Sequence, residues 1–217
     1  MSYPATPRST PTRYRERACY DRETVHRILD EALICHVGYL NVDHPVVLPT
    51  THARLGEILY LHGSTGSSPM LAASPSGVPV CVTVTLVDGL VLARAALHHS
   101  LQYRSVVVHG TARLVSDRQE KLRALEALLD HVAPGRAADS RPPNARELAA
   151  TAVLAVDLVE VSAKVRGGGP VDDAEDTALP HWAGVVPLTL AAGDPVPADD
   201  LDAAVGLPPY LASYRRG

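Results

Sequence analysis

Between Val78 and Leu86 every second residue is apolar: Val78, Val80, Val82, Val84 and Leu86 alternate with Pro79, Cys81, Thr83 and Thr85. Successive side chains on a strand point to opposite faces, so this period predicts a β-strand with one face in a core. One such strand cannot stand alone, and the chain offers more. Ile34–Val42, Val46–Leu55 and Ile58–His62 read as short β-type runs separated by Asp43-His44-Pro45 and Gly56-Glu57 turns. Asp88-Gly89 carries a hairpin signal into Leu90–Ala95. Val106–Leu114 reads as another strand, with Gly110 marking a bulge or a close backbone approach. Ala152–Val165 reads as one long final strand. Two helices interrupt the pattern. Asp21 is a suitable N-cap for a helix to about Leu33, with Val25, Ile28, Leu29 and Leu33 as its buried stripe, and Asp117 caps another through about His131. Ser67–Ala73 has the length of one or two helical turns. The expected class is mainly β: a small closed barrel of six or seven mostly antiparallel strands with helices after the third and sixth.

With 217 residues and 46% hydrophobic composition the chain can bury a substantial core, yet it has no Phe and one Trp. Val, Leu, Ala and Ile must therefore build that core. A net charge of −4 and the lack of a basic stripe give nucleic acid no purchase. The apolar runs Leu90–Leu97 and Ala149–Val156 are too short to span a bilayer, and the Pro/Thr/Arg-rich start lacks the apolar middle of a signal peptide. Cys19, Cys35 and Cys81 are odd in number and far apart, as free thiols in a reducing compartment would be. The expectation is a soluble cytoplasmic protein with no membrane partner. It divides into a mobile arm over 1–20, a barrel domain over 21–166, and a C-terminal extension over 167–217 that packs on the barrel or on a partner.

Polar residues gather in three segments at strand ends, where a β scaffold presents ligand sites. His62-Gly63-Ser64-Thr65-Gly66-Ser67-Ser68 combines glycines, which let a backbone approach an anion, with donor hydroxyls and a following helical turn. It reads either as a phosphate cradle or as a solvated Gly/Ser loop, and it is neither a Walker loop nor a dinucleotide fingerprint. Pro49-Thr50-Thr51-His52-Ala53-Arg54 sits within an apolar strand, and its polar residues suit either ligand contact or simple exposure. Ser100, Arg104 and Ser105 offer hydroxyl and guanidinium donors suited to a multi-oxygen anion, or Arg104 pairs with a carboxylate. His98-His99 invites a metal reading. Adjacent strand residues point to opposite faces, and no Cys or carboxylate stands nearby at ligand spacing, so no metal is assigned.

The order and wording of these segments resemble the FMN-binding split-barrel proteins related to pyridoxamine 5'-phosphate oxidase, in particular the nitroimidazole-resistance-reductase branch. The resemblance runs from about residue 20 to 190, and Lys164-Val165-Arg166-Gly167-Gly168-Gly169-Pro170 and Trp182-Ala183-Gly184-Val185-Val186-Pro187 belong to it. It implies FMN as cofactor, NAD(P)H as an electron donor, and a homodimer with two cofactor sites at the interface. By the same resemblance the cofactor-binding residues are Pro49, Thr50, Thr51, His52, Arg54, His62, Gly63, Ser64, Thr65, Ser67, Ser68, Ser100, Arg104, Ser105, Lys164, Arg166 and Trp182.

Relatives place an Arg or Lys near the position occupied here by Ser68-Pro69-Met70, so a phosphate's counter-charge must come from Arg54, Arg104, Lys164 or Arg166. The closing Tyr210–Gly217 lacks the signature of true pyridoxamine 5'-phosphate oxidases, and vitamin B6 oxidation is not expected. The implied activity is a nitroreductase-like oxidoreductase acting on a small organic substrate, with His62 and His52 as proton donors because imidazole titrates near neutrality. Related barrels also hold haem or F420, or act without cofactor. For haem, His62, His99 or His109 is the candidate axial ligand.

Overall fold

The computed structural model describes residues 1–66 and 77–215. Nine strands form one antiparallel network: β1 (Ala18–Cys19), β2 (Ile34–Asn41), β3 (His44–Leu55), β4 (Ile58–Ser64), β5 (Val78–Leu92), β6 (Ser100–Leu114), β7 (Thr151–Asp157), β8 (Glu160–Arg166) and β9 (Gly184–Pro187). Their order is β1-β8-β6-β7-β4-β3-β2-β5-β9, and an additional β5–β6 pairing closes six of them into a ring. The ring is split. One edge of β6 pairs with β5, whereas the other pairs with β8 over Tyr103–His109 and reaches β7 only at Arg113 and Leu114.

Each inward face is the apolar half of an alternating strand. Val78, Val80, Val82 and Val84 meet Val106, Val108, Leu59, Leu61, Leu154 and Val156 in the main core. Helix α1 (Arg22–Glu31) adds Val25, Ile28 and Leu29 to it, and Asp21 caps the helix by accepting from the Thr24 amide at 2.9 Å. Burying such a side chain contributes roughly 1.5–3 kcal/mol. Helix α2 (Arg118–Val132), capped by Asp117, covers the outer face of β3, β4 and β7. There Tyr60, Val115, Ala124, Val153 and Ala155 form a second, smaller core. The short helix α3 (Ala145–Ala150) leads into β7, and α4 (Pro209–Ala212) lies in the tail.

Three sequence expectations change. Asp88-Gly89 is not a turn. β5 runs straight through to Leu92 with a register shift between Val87 and Gly89, and the chain reverses later through Ala93–His99. Gly89 lets β9 approach closely, since a Cβ there would stand 3.1 Å from the Val186 carbonyl. Ala152–Val165 is two strands, because the chain turns at Leu158–Val159 and β8 crosses to β6. The first twenty residues are docked rather than free: Tyr3 is buried, Ser2 bridges to Asp21, and β1 pairs with β8. Gly110 does mark a close approach, since a Cβ would meet Val156 at 2.8 Å. The helical turn expected over Ser67–Ala73 lies outside the described residues.

Candidate cofactor site in the gap between two strands

β3 pairs with β2 over His44–Thr51 but with β4 only over His52–Leu55. β4 pairs with β7 along its whole length, yet with β3 only from Ile58 to Leu61. Beyond Thr51 and His62 the two strands therefore have no ladder between them. Among the described residues, no strand covers the β4-facing edge of β3 over 44–51. Pro49, Thr50 and Thr51 lie along this open edge.

A cavity of 430 Å³ adjoins the gap, within the roughly 300–1,000 Å³ typical of cofactor sites. Thr51, His62 and Thr151 line its barrel side, and Leu122, Leu125 and Leu129 of α2 line the other. Arg141 and Glu147 stand at its rim as an ion pair, with Nη2 donating to Oε1 at 2.6 Å. Two larger depressions, of 640 and 710 Å³, are more open, and charged residues such as Asp30, Arg54 and Arg27 stand in their linings. The smaller cavity is the better enclosed and the more apolar.

His62 has one side toward solvent and one toward the cavity wall, and desolvation lowers its pKa. A neutral imidazole keeps a ring lone pair for a metal. Among the described residues none hydrogen-bonds its ring. Gly63 and Ser64 complete β4 opposite Ala152 and Thr151 of β7, and just beyond the strand the Thr65 amide donates to the Ala150 carbonyl at 3.0 Å. Ser67 and Ser68 lie outside the described residues.

The remaining expected residues do not join this group. His52 points into the interior, fully buried, with Nε2 donating to the Leu29 carbonyl at 2.9 Å and its ring centroid 4.9 Å from that of His131. It pins α1 to β3, and no ligand in the gap can receive a proton from it. Arg54 turns to Asp30, with Nε–Oδ1 at 2.9 Å and Nη2–Oδ2 at 2.5 Å. Arg104 is saturated: Nε and Nη2 donate to Asp88 at 2.9 and 2.7 Å, and Nη1 and Nη2 donate to Glu31. Those hydrogen bonds, Asp88 first, raise its pKa further and fix its charge.

Lys164 Nζ donates to the Arg13 carbonyl at 3.3 Å, and Arg166 Nη1 to that of Leu101 at 2.8 Å. The Ser105 hydroxyl donates to the Lys164 carbonyl at 3.4 Å, and Ser100 sits opposite Val91 in the β5–β6 ladder. Trp182 is exposed, its ring over Gly184 at the start of β9. The α2 leucines were the residues missed. Leu122, Leu125, Leu128 and Leu129 share one face in the sequence, but that spacing does not distinguish a helix covering core from one roofing a cavity.

The model of the family described as pyridoxamine 5'-phosphate oxidase matches residues 21–165, the whole barrel. This chain belongs to that family. Its structure is similar to the flavocytochrome Anf3 from Azotobacter vinelandii, with a TM-score of 0.90, 39% identity, and 98% of each chain covered. It is also similar to an FAD and haem binding protein from Mycobacterium smegmatis, with a TM-score of 0.84, 40% identity, and 90% and 95% of the chains covered. A candidate 5-nitroimidazole antibiotic resistance protein from Bacteroides thetaiotaomicron shares the fold at TM-score 0.58 and 22% identity, over 68% of this chain and 86% of the other. Comparison with curated proteins returns no match.

Proposed function

We propose that this family member is a flavin- and haem-carrying redox protein, with the haem in the cavity beneath α2 and the His62 imidazole as the residue that would hold its iron. The observation that carries the reading is one imidazole, biased toward its neutral form, facing a 430 Å³ apolar cavity. Two relatives at 39% and 40% identity, named for flavin with haem, supply independent support. The donor set fits the group. Imidazole is a suitable ligand for haem iron, and the leucines of α2 keep water from an apolar macrocycle. Bound together, the two groups would supply one- and two-electron transfer.

The flavin we assign to the open β3 edge, and its form to FAD rather than the FMN first expected. A terminal monophosphate carries about −1.5 to −2 charges at neutral pH and needs a committed cation. Arg54, Arg104, Lys164 and Arg166 are all engaged elsewhere in this chain. The esterified phosphates of FAD spread their charge and depend less on one guanidinium. We further assign a homodimer, since the outer face of the β2–β3 hairpin exposes Leu40 and Val47. Oxidation or reduction of a small organic substrate, with NAD(P)H as electron source, is the activity to assay on the loaded protein.

An absorbance spectrum of the purified protein, with haem and flavin titrations of the depleted form, tests the assignment. A Soret band together with flavin bands, and FAD released on denaturation, is expected. Failure to take up haem overturns the haem reading and leaves a flavoprotein. Release of FMN overturns the choice of FAD.

A further inference from the structure

Away from the cavity, at the turn between β5 and β6, the fold assembles a cluster that the sequence spacing conceals. The tail returns over this turn and is fixed there by Asp172. Its buried carboxylate accepts from Arg94 Nη1 and from the Arg94 amide, both at 2.8 Å. The next residue, Asp173, precedes a single 3-10 turn over Ala174–Ala178. In that geometry side chains three apart eclipse one another, so Asp173 and Asp176 stand on one side. His98 faces them from the β5–β6 turn, its Nε2 3.8 Å from Asp173 Oδ2. The ligand atoms of His98, Asp173 and Asp176 all lie within 4.8 Å of one another.

We propose that His98, Asp173 and Asp176 form a surface site for a divalent first-row transition metal, zinc foremost. Four observations support it. The separation of His98 and Asp173 is too long for a hydrogen bond but close to the ligand–ligand spacing around zinc, about 3.4 Å when metal–ligand bonds are about 2.1 Å. The Asp173 side chain caps nothing, and no Lys or Arg ion pair reaches either carboxylate among the described residues. The Nδ1 of His98 is buried, which leaves Nε2 as the nitrogen turned toward the carboxylates. The Asp172–Arg94 anchor holds the two segments in register before any ion arrives. One imidazole with two carboxylates suits zinc, cobalt, nickel or manganese, whereas calcium and magnesium favour all-oxygen shells. Water would complete the coordination. The ion's role is a clamp that fastens the tail onto the β5–β6 turn.

The test is calorimetric titration of ZnCl2 into the purified protein after chelator treatment, with thermal unfolding recorded with and without zinc. One saturable zinc per chain and a raised unfolding midpoint are expected. His98→Gln, Asp173→Asn and Asp176→Asn should each weaken zinc binding at least about tenfold, while His99→Gln leaves it unchanged. Absence of saturable uptake at micromolar zinc, or uptake of equal affinity in all three variants, overturns the site.

Discussion

His62 is the residue on which the cofactor assignment turns. Replacing it with alanine should abolish the Soret band on haem titration while flavin uptake persists, because the β3 edge supplies main-chain groups that the substitution leaves alone. The pH dependence follows from the sign of its shift. Burial against the cavity wall lowers the pKa, so the ring takes up its proton at lower pH than an ordinary imidazole, whose range lies near 6.5. Haem affinity should be flat across neutrality and decline only below that range as protonation competes with the metal, as an acid titration followed at the Soret band would read. Arg104 is a structural residue of opposite character. Arg104→Gln would leave Glu31 and Asp88 facing each other without their cation. The cost expected in urea unfolding is about 1–3 kcal/mol, between the exposed and buried ion-pair limits, with no loss of flavin affinity. Reduced flavin affinity in the folded variant would restore Arg104 to the cofactor site.

At the scale of elements, α2 matters most, since it both seals the second core and roofs the cavity. Its first turn is tied down by Glu120, which accepts from Arg113 Nη2 of β6 at 2.6 Å and from the Tyr60 hydroxyl of β4 at 3.0 Å. The Arg113 hydrogen bond, partly offset by burial, holds the Glu120 carboxyl below the usual carboxylate range. A depressed folded pKa gives stability that is present above the unfolded value, about 4.3, and is lost as pH falls through the folded one. Glu120→Gln should therefore cost about 1 kcal/mol near neutrality, and the gap from the parent protein should close in unfolding curves taken progressively below pH 4.3. A gap independent of pH would mean that packing, not charge, makes this contact.

Much of this scale was legible in the chain. The alternating valines of β5, the Asp21 and Asp117 caps, and the His62–Thr65 strand end all stand where their local chemistry puts them. What was not legible depends on distant partners. Asp88-Gly89 has the wording of a turn, but β9 pairs with the strand there and Arg104 binds Asp88, so the signal becomes a bulge. The fate of Arg104 was hidden because Glu31 lies 73 residues away in sequence. His98 showed no carboxylate neighbour because Asp173 arrives only when the tail folds back.

For the whole molecule, the outer face of the barrel raises the question of what covers it. On the β2–β3 hairpin Leu40 lies opposite Pro45 and Gly38 opposite Val47, so these residues share the face pointing away from the core. Leu40 and Val47 are each 63% exposed, unlike Val37 and Tyr39 on the inner face, which are buried. Next to this face runs the unpaired edge of β3 assigned to the flavin, so a second copy docking on the hairpin would also close one wall of that site. The two properties should then fail together. Val47→Asp places a charge in the proposed contact without touching the core, since the residue is exposed in the single chain. Light scattering after size exclusion should show the parent protein as a dimer and the variant as a folded monomer, and the monomer should bind FAD more weakly. A monomeric variant with full FAD affinity would separate the flavin from the interface and place it wholly within one chain. A variant that remains dimeric would move the interface to another face of the barrel.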